Sequence, residues 1–326
     1  MKTVVLTGAT GFIGANLTRR LLKDGHSIHL LLRRDSPRWR IKDIASDIVL
    51  HEISLLERDS LQKTLNKIRP DWIFHLAAFG GSSWQVDRKK IIETNLLGTI
   101  NLLDASMENG FEAFLNAGTS SEYGLKDHPP SETELLEPNS CYAIAKAGAT
   151  NYCRHIGVTK KARTVTLRLY SAFGPFEQPK RLMPVLILKA LKGVFPPLVD
   201  PEVSRDFVYV DDVTDAFVIA AEFDKVEPGS IFNIGTGIQT KMRDVVAFAK
   251  KHFCITATPQ WNAMNSRAWD TNIWIANNKK ALETLKWKPK FSFEEGMKKM
   301  TAWFLENVEI QRLYEELVNV PANSEF

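Results

Sequence analysis

Through its first half the chain alternates between apolar runs of strand length and longer stretches in which apolar residues recur every three or four positions. The runs TVVLTG, SIHLLLR, DWIFHLAA, FEAFLNAGTS and ARTVTLRLY predict strands. Between them IGANLTRRLLKDG, SLQKTLNKI, IIETNLLGTINLLDASMENG and YAIAKAGATNYCRHIG predict helices, with Gly25 and Gly110 closing two of them. Repeated strand-then-helix units imply a parallel sheet covered on both faces, and right-handed crossovers make this a doubly wound α/β fold.

From Ser171 the rhythm breaks. Pro175, Pro179, Pro184, Pro196, Pro197 and Pro201 predict loops with short helices. The segment RDFVYVDDVTDAFVIAAEF returns to a strand and a helix, SIFNIGTG reads as another strand, and the tail from Lys241 is expected to be mostly amphipathic helix. The expected organisation is two interleaved lobes. Residues 1–170, with a return segment at about 206–237, carry the sheet; residues 171–205 and 238–326 build a smaller C-terminal substrate lobe.

Composition narrows the function. A net charge of +4 against 42 basic and 38 acidic residues leaves no basic stripe for nucleic acid. Cys141, Cys153 and Cys254 are widely spaced with no metal-ligand spacing, so reduced thiols and no metal are expected. Met1 leads straight into a strand and no apolar run is long enough for a bilayer, which predicts a soluble, cytoplasmic protein without membrane contact.

Three motifs carry candidate chemistry. Gly8, Gly11 and Gly14 stand at the junction of the first strand and helix, where glycine lets the backbone approach a pyrophosphate seated on the helix N-terminus. Tyr142 and Lys146 lie one helical turn apart in CYAIAK, and the hydroxyl-rich GTSSEYG precedes them. An unperturbed tyrosine has a pKa of about 10; the charge of Lys146 with an oxidised nicotinamide is expected to favour the phenolate. At the end of the second strand, LLLRRD has Arg33 and Arg34 where a ribose-binding acid is usual. A guanidinium pairs well with a phosphate dianion, so NADP(H) is preferred, with NAD(H) still open.

These motifs, in this order, resemble the extended short-chain dehydrogenase/reductase superfamily, in its branch of nucleotide-sugar epimerases, dehydratases and 4-ketoreductases. The resemblance covers nearly the whole chain and implies a Rossmann-type sheet. It assigns Phe12 and Ile13 to the cofactor site beside the three glycines, and Glu52 and Ile53 to the adenine end. Leu76, Ala77 and Ala78 of HLAA become a wall beneath the dinucleotide, Pro175 becomes a Gly-Pro corner against it, and Asn95 becomes a support beneath the site. His75 has no partner at ligand spacing. Counting back from Gly124 selects Thr119 as the hydroxyl partner of Tyr142 and Lys146, with Ser120 and Ser121 as substrate-side neighbours.

The same resemblance assigns Arg205, in RDFVYVDDV, and Arg267 to a substrate diphosphate, leaving Asp206, Asp211 and Asp212 to structure. It places Ser171 where many relatives contact the nucleotide sugar through Asn, and makes Arg181 a further anion contact. The expected activity is reduction of the C4 ketone of a 4-keto nucleotide sugar. The alternatives are an NAD-dependent C4 epimerase and, less favoured, a dinucleotide sensor or a 4,6-dehydratase. Dehydration is disfavoured because Ser120 and Ser121, rather than a carboxylate, follow Thr119. A homodimer is implied through a four-helix bundle whose seam would include Ile92, Leu96, Leu103, Ala145, Ala149 and Tyr152.

Overall fold

A computed structural model describes residues 1–82, 84–264 and 271–320. The chain runs β1 (Thr3–Thr7), α1 (Phe12–Lys23), β2 (Ser27–Leu32), β3 (Val49–Glu52), α2 (Arg58–Ile68) and β4 (Trp72–His75). It continues through α3 (Arg88–Ile92), α4 (Gly98–Asn109), β5 (Ala113–Thr119), α5 (Cys141–Lys160) and β6 (Thr164–Leu169). Then follow β7 (Ser171–Phe173), α6 (Leu182–Ala190), β8 (Ser204–Arg205), β9 (Phe207–Tyr209), α7 (Val210–Glu222) and β10 (Ser230–Ile234). The last elements are β11 (Thr240–Lys241), α8 (Met242–His252), α9 (Phe293–Glu306) and α10 (Val308–Asn319).

Seven of these strands form one parallel sheet in the order β10-β6-β5-β4-β1-β2-β3. The order reverses between β1 and β4, which opens a crevice at their C-terminal ends. Alternation along the strands sorts the core into two layers. Leu6, Leu30, Phe74, Leu115, Leu167 and Phe232 face α1 and α7, while Val5, Leu31, Ile73 and Phe114 face α2, α4 and α5. A third cluster gathers Phe173, Leu186, Phe207, Val245, Met297 and Phe304 from the later elements. Two small sheets join those elements, β7 parallel to β9 and β8 antiparallel to β11.

Several expectations need correction. β3 escaped the hydrophobic pattern because it is the sheet edge, with Val49 48% exposed and no residue of the strand fully buried. The predicted long helix from Ile91 to Gly110 is interrupted by a π-helical turn at Glu93–Leu97 between α3 and α4. The tail is less helical than expected. Among the described residues between α8 and α9 there is no α-helix, only a π turn at Ala281–Leu285, and Trp287 anchors the irregular chain by donating its Nε1–H to the Asp212 carbonyl (2.9 Å).

The proposed dimer seam also changes. Leu103, Ala145 and Ala149 are fully buried within this one chain, Leu96 packs on the Gly148 backbone, and Tyr152 bonds Asp104. The outer faces carry Leu97 and Ile144 instead, 44% and 52% exposed. No helix among the described residues is long and apolar enough to cross a membrane.

Candidate active site

The crevice begins with the glycines. Gly8 has φ +73°, and a Cβ there would stand 2.5 Å from the Ala77 nitrogen and the Leu76 carbonyl carbon, so the loops after β1 and β4 touch backbone to backbone. Gly14 is equally constrained, since its Cβ would lie 2.2 Å from the Gly8 oxygen. Gly11 is the N-cap of α1 and, having no side chain, leaves the first N–H groups of the helix, from Phe12 and Ile13 onward, without a side-chain acceptor. This cradle fits a diphosphate. The wall beside it is rigid. The Ala77 N–H donates to Thr7 Oγ1 (3.2 Å), whose hydroxyl donates to His75 Nδ1 (2.8 Å). His75 Nε2 in turn donates to Thr99 Oγ1 (2.8 Å), which donates to the Asn95 carbonyl (2.8 Å). Burial pushes His75 down to about 3, so it serves as a neutral relay of this chain.

Asn95 lies in the π turn and is fully buried. Its Oδ1 accepts from the Phe79 N–H (3.0 Å) and its Nδ2 donates to the Phe79 carbonyl (2.6 Å), so it fixes the loop that follows Ala78. That loop passes directly over Tyr142: Cβ atoms at Gly80 and Gly81 would lie 3.5 and 3.9 Å from the phenol ring. The Asn95 side chain thus acts on this loop, where the expectation was support of helix packing.

α5 starts at Ser140, whose side chain accepts from the Ala143 N–H (3.1 Å), so Tyr142 lies in the first turn and Lys146 one turn deeper. Thr119, the last residue of β5, reaches the same point, close enough for its side chain to act on the Tyr142 phenol. Burial first, then the negative charge of Glu122, push the Tyr142 phenol up to about 12, against the opposite pulls of Arg181 and of the Thr119 side chain. The phenolate expected beside Lys146 and an oxidised nicotinamide is a different state; here the charged groups acting on the ring are Glu122 and Arg181, and the phenol keeps its proton. Lys146 is buried and makes no hydrogen bond or ion pair among the described residues. Burial lowers its pKa, offset in part by Glu122 and Cys153. A buried ammonium without a partner suits a hydroxyl-bearing ligand such as a ribose.

At the other end of the crevice, Arg33 follows β2 and pairs with Asp35 (3.3 Å), while the highly exposed Arg34 lies 3.6 Å from Glu52. Arg38, which the sequence reading missed, pairs with the second oxygen of Glu52. Glu52 ends β3 beside Leu32 of β2, so it stands among the arginines, and Ile53 beyond it is buried.

The far wall is built by the later elements. The Pro175 carbonyl accepts from Asn16 Nδ2 of α1 (2.9 Å), which docks the Gly-Pro corner on α1. Arg181 caps α6, half exposed, 3.9 Å from the buried Glu177. Ser171 opens β7, with its N–H bonded to the Asp206 carbonyl (3.0 Å). Asp206 itself accepts from Thr236, Gly237 and Ala276 N–H groups at 2.7–2.9 Å, a structural clamp as expected. Arg205 lies over the Trp274 ring, 5.7 Å from its centre. Ser120, Tyr123, Tyr170 and Trp274 line a cleft with Lys126 and His128 at its rim. Lys126 also lines an open hollow of about 510 Å³ bounded by Leu125–Asp127 and Thr271–Ile273. Ser121 lies half-buried, its N–H donating to Thr119 Oγ1 (3.3 Å). Arg267 is outside the described residues.

Sequence reasoning missed Arg38, Arg40, Lys126, His128 and Trp274, which reach the site only through tertiary folding. Arg40 is the least foreseeable, a buried guanidinium donating to the Phe176 carbonyl (2.8 Å), the Thr10 carbonyl (3.2 Å) and Gln178 Oε1 (2.9 Å). A surface-looking arginine in a charged stretch gave no sign of this.

Known proteins share both sequence and fold. The model of the NAD dependent epimerase/dehydratase family matches residues 4–235. The UDP-glucose 4-epimerase of Mycolicibacterium smegmatis is 29% identical over 93% of this chain and 98% of its own. A trifunctional UDP-glucose 4,6-dehydratase/UDP-4-keto-6-deoxy-D-glucose 3,5-epimerase/UDP-4-keto-L-rhamnose-reductase of Arabidopsis thaliana is 28% identical over 94% of this chain, which spans 48% of the plant enzyme. Among solved structures, the UDP-glucuronic acid 4-epimerase of Bacillus cereus, in complex with UDP-glucuronic acid and NAD, superposes with a TM-score of 0.83 at 27% identity, covering 93% of this chain and 99% of that one. With the crevice, the glycine cradle and the Thr119–Tyr142 pair in place, the chain belongs to the NAD dependent epimerase/dehydratase family.

Proposed function

We propose that this protein is a nucleotide-sugar oxidoreductase that reduces the C4 ketone of a 4-keto nucleotide sugar, with NADP(H) as the preferred dinucleotide. The observation that carries this reading is the protonated Tyr142, beside Thr119 and held against ionisation by burial and Glu122. A reduction needs a proton donor at the carbonyl oxygen, and this phenol is one. The nicotinamide, when bound, supplies the hydride. Thr119 orients the sugar oxygen, Tyr142 gives it a proton, and Lys146 holds the ribose. Arg181 and Arg205 meet the diphosphate, with Arg267 as a third contact. Ser120, Ser121 and Ser171 line the sugar side. Phe12, Ile13, Leu76, Ala77, Ala78 and Pro175 enclose the dinucleotide. Residues 1–170 with 206–237 act as the cofactor lobe, and the remainder as the substrate lobe.

Arg33, Arg34 and Arg38 support the NADP(H) preference, since all three follow β2 and a guanidinium pairs well with a 2′-phosphate. One observation favours a second reading. Glu52 already pairs with Arg34 and Arg38 and so offsets part of that positive charge. An NAD-dependent C4 epimerase would need no phosphate site, and the Bacillus cereus relative was solved with NAD. Dehydration stays disfavoured, because both oxygens of Glu122 are engaged within the protein. We also propose a homodimer through α5 and the π turn before α4, its seam centred on Leu97 and Ile144.

The test is mass spectrometry of the dinucleotide carried by the purified protein, then NADPH oxidation with CDP-, dTDP-, GDP- and UDP-linked 4-keto sugars. NADPH consumed with one of these sugars is the expected result. A tightly kept NAD, with sugar interconversion and no external reductant, would replace this reading by the epimerase.

A further inference from the structure

The hydroxyl-rich segment holds one carboxylate, Glu122, to which the reaction above gives no direct part. It is fully buried. Its Oε1 accepts from the Thr119 N–H (2.9 Å) and from Thr150 Oγ1 (3.0 Å), and its Oε2 accepts from Arg168 Nε (2.8 Å). Arg168, on β6, is also buried and is itself held by Tyr123 OH (2.8 Å) and the Glu132 carbonyl (3.3 Å). Gly118 makes room for the carboxylate, since a Cβ there would stand 2.8 Å from Oε1. Both of its oxygens are thus engaged within the protein.

We infer that Glu122, locked by Arg168, is a positioning residue that fixes Thr119 against Tyr142 and supplies the fixed negative charge acting on Tyr142 and Lys146 together. The inference rests on the reading of Tyr142 as the proton donor. The neighbours of the two groups agree on its sign. Tyr142 meets Glu122, the opposing charge of Arg181, and the Thr119 hydroxyl. Lys146 meets Glu122 and the Cys153 thiol on its own side, and His75 from the sheet feels it. Cys153 is itself pushed up to about 12 by burial and His75 is neutral, so Glu122 is the formal negative charge near the ammonium. A negative charge opposes ionisation of a phenol and favours an ammonium over an amine. One buried carboxylate therefore adds to burial in opposing ionisation of the phenol and works against burial at the lysine.

The test needs neither substrate nor dinucleotide, so its outcome is independent of whether the reductase reading survives. Tyrosine labelled with ¹³C at Cζ is titrated by NMR in the full-length protein, with Tyr142→Phe assigning the resonance and near-UV circular dichroism verifying the fold at each pH. In Glu122→Gln the Tyr142 midpoint should become at least about tenfold more acidic. Glu122→Asp keeps the charge and should stay near the wild-type midpoint. Should the lone Arg168 left by Glu122→Gln prevent folding, the double variant Glu122→Gln/Arg168→Gln removes both charges and should still move the midpoint acidward. An unmoved midpoint in a folded Glu122→Gln or double variant overturns the inference. So does an equal shift in Glu122→Asp, which would assign the effect to packing.

Discussion

A phenol that titrates at about 12 carries its proton throughout the physiological range, and in Tyr142 that state follows from burial and one carboxylate rather than from the adjacent lysine. Replacing Tyr142 with Phe removes the proposed proton donor and little volume. Turnover should fall roughly 10²- to 10⁴-fold while dinucleotide binding, which depends mainly on the glycine cradle, stays within a few-fold; steady-state rates and a fluorescence titration of cofactor measure the two. The arginines at the end of β2 allow an equally local prediction. Arg33→Ala with Arg34→Ala should weaken NADPH binding far more than NADH binding, shifting their ratio by at least about tenfold, because charged hydrogen bonds each contribute about 1.5–3 kcal/mol. An unchanged ratio would leave both residues as solvated charges, and Arg38→Ala would then decide whether the remaining arginine matters.

At the scale of elements, the segment from Gly174 to Arg181 is held from two sides. Arg40 ties it to the glycine-rich loop through Thr10, and Tyr314 of α10 donates its hydroxyl to the Glu177 carbonyl (2.6 Å). Phe176 takes a left-handed φ of +66° to make this turn, under the guanidinium of Arg19, 4.1 Å from its ring centre. Glu177 is buried with one carboxyl oxygen lacking a partner, and burial pushes it up to about 8, against the pull of Arg181 and a Gly174 N–H. The folded state therefore holds a proton that the unfolded chain releases near its ordinary value of 4.5. The associated stability is complete below that value and is lost as pH rises towards 8. Glu177→Gln lacks this titration. Its urea midpoint relative to wild type should rise between pH 5 and pH 8.5, and parallel curves for the two proteins would refute the assignment.

For the whole molecule, the question is which surfaces remain for a partner once the chain has folded. Leu103 is spent on the internal layer between the sheet and α5, so Leu103→Asp would unfold the chain rather than divide a dimer. Ile144 is half exposed on α5, and a carboxylate there costs the monomer little. Ile144→Asp should sediment as a monomer with an unchanged thermal midpoint if this helix forms the subunit contact. A wild-type protein that is monomeric at every concentration would remove the proposal.

Periodicity determined most strands and helices of the seven-stranded sheet layer, because a buried sheet and the helices covering it write their geometry into residues two and four positions apart. The same locality made the Gly8–Gly14 turn and the Tyr142–Lys146 pair legible, since each lies within one turn or one loop. Where the signal was weak, the reason is physical: β3 is a half-exposed edge, and the π turn at Glu93–Leu97 serves an Asn95 contact made 16 residues upstream. Only the tertiary structure decided how each charge is used. Glu122 meets Arg168 across 46 residues, Arg40 meets Phe176 across 136, and Tyr314 meets Glu177 across 137. A sequence states that a residue can ionise; whether it is buried, and against which partner, is fixed by segments that come together only when the chain folds.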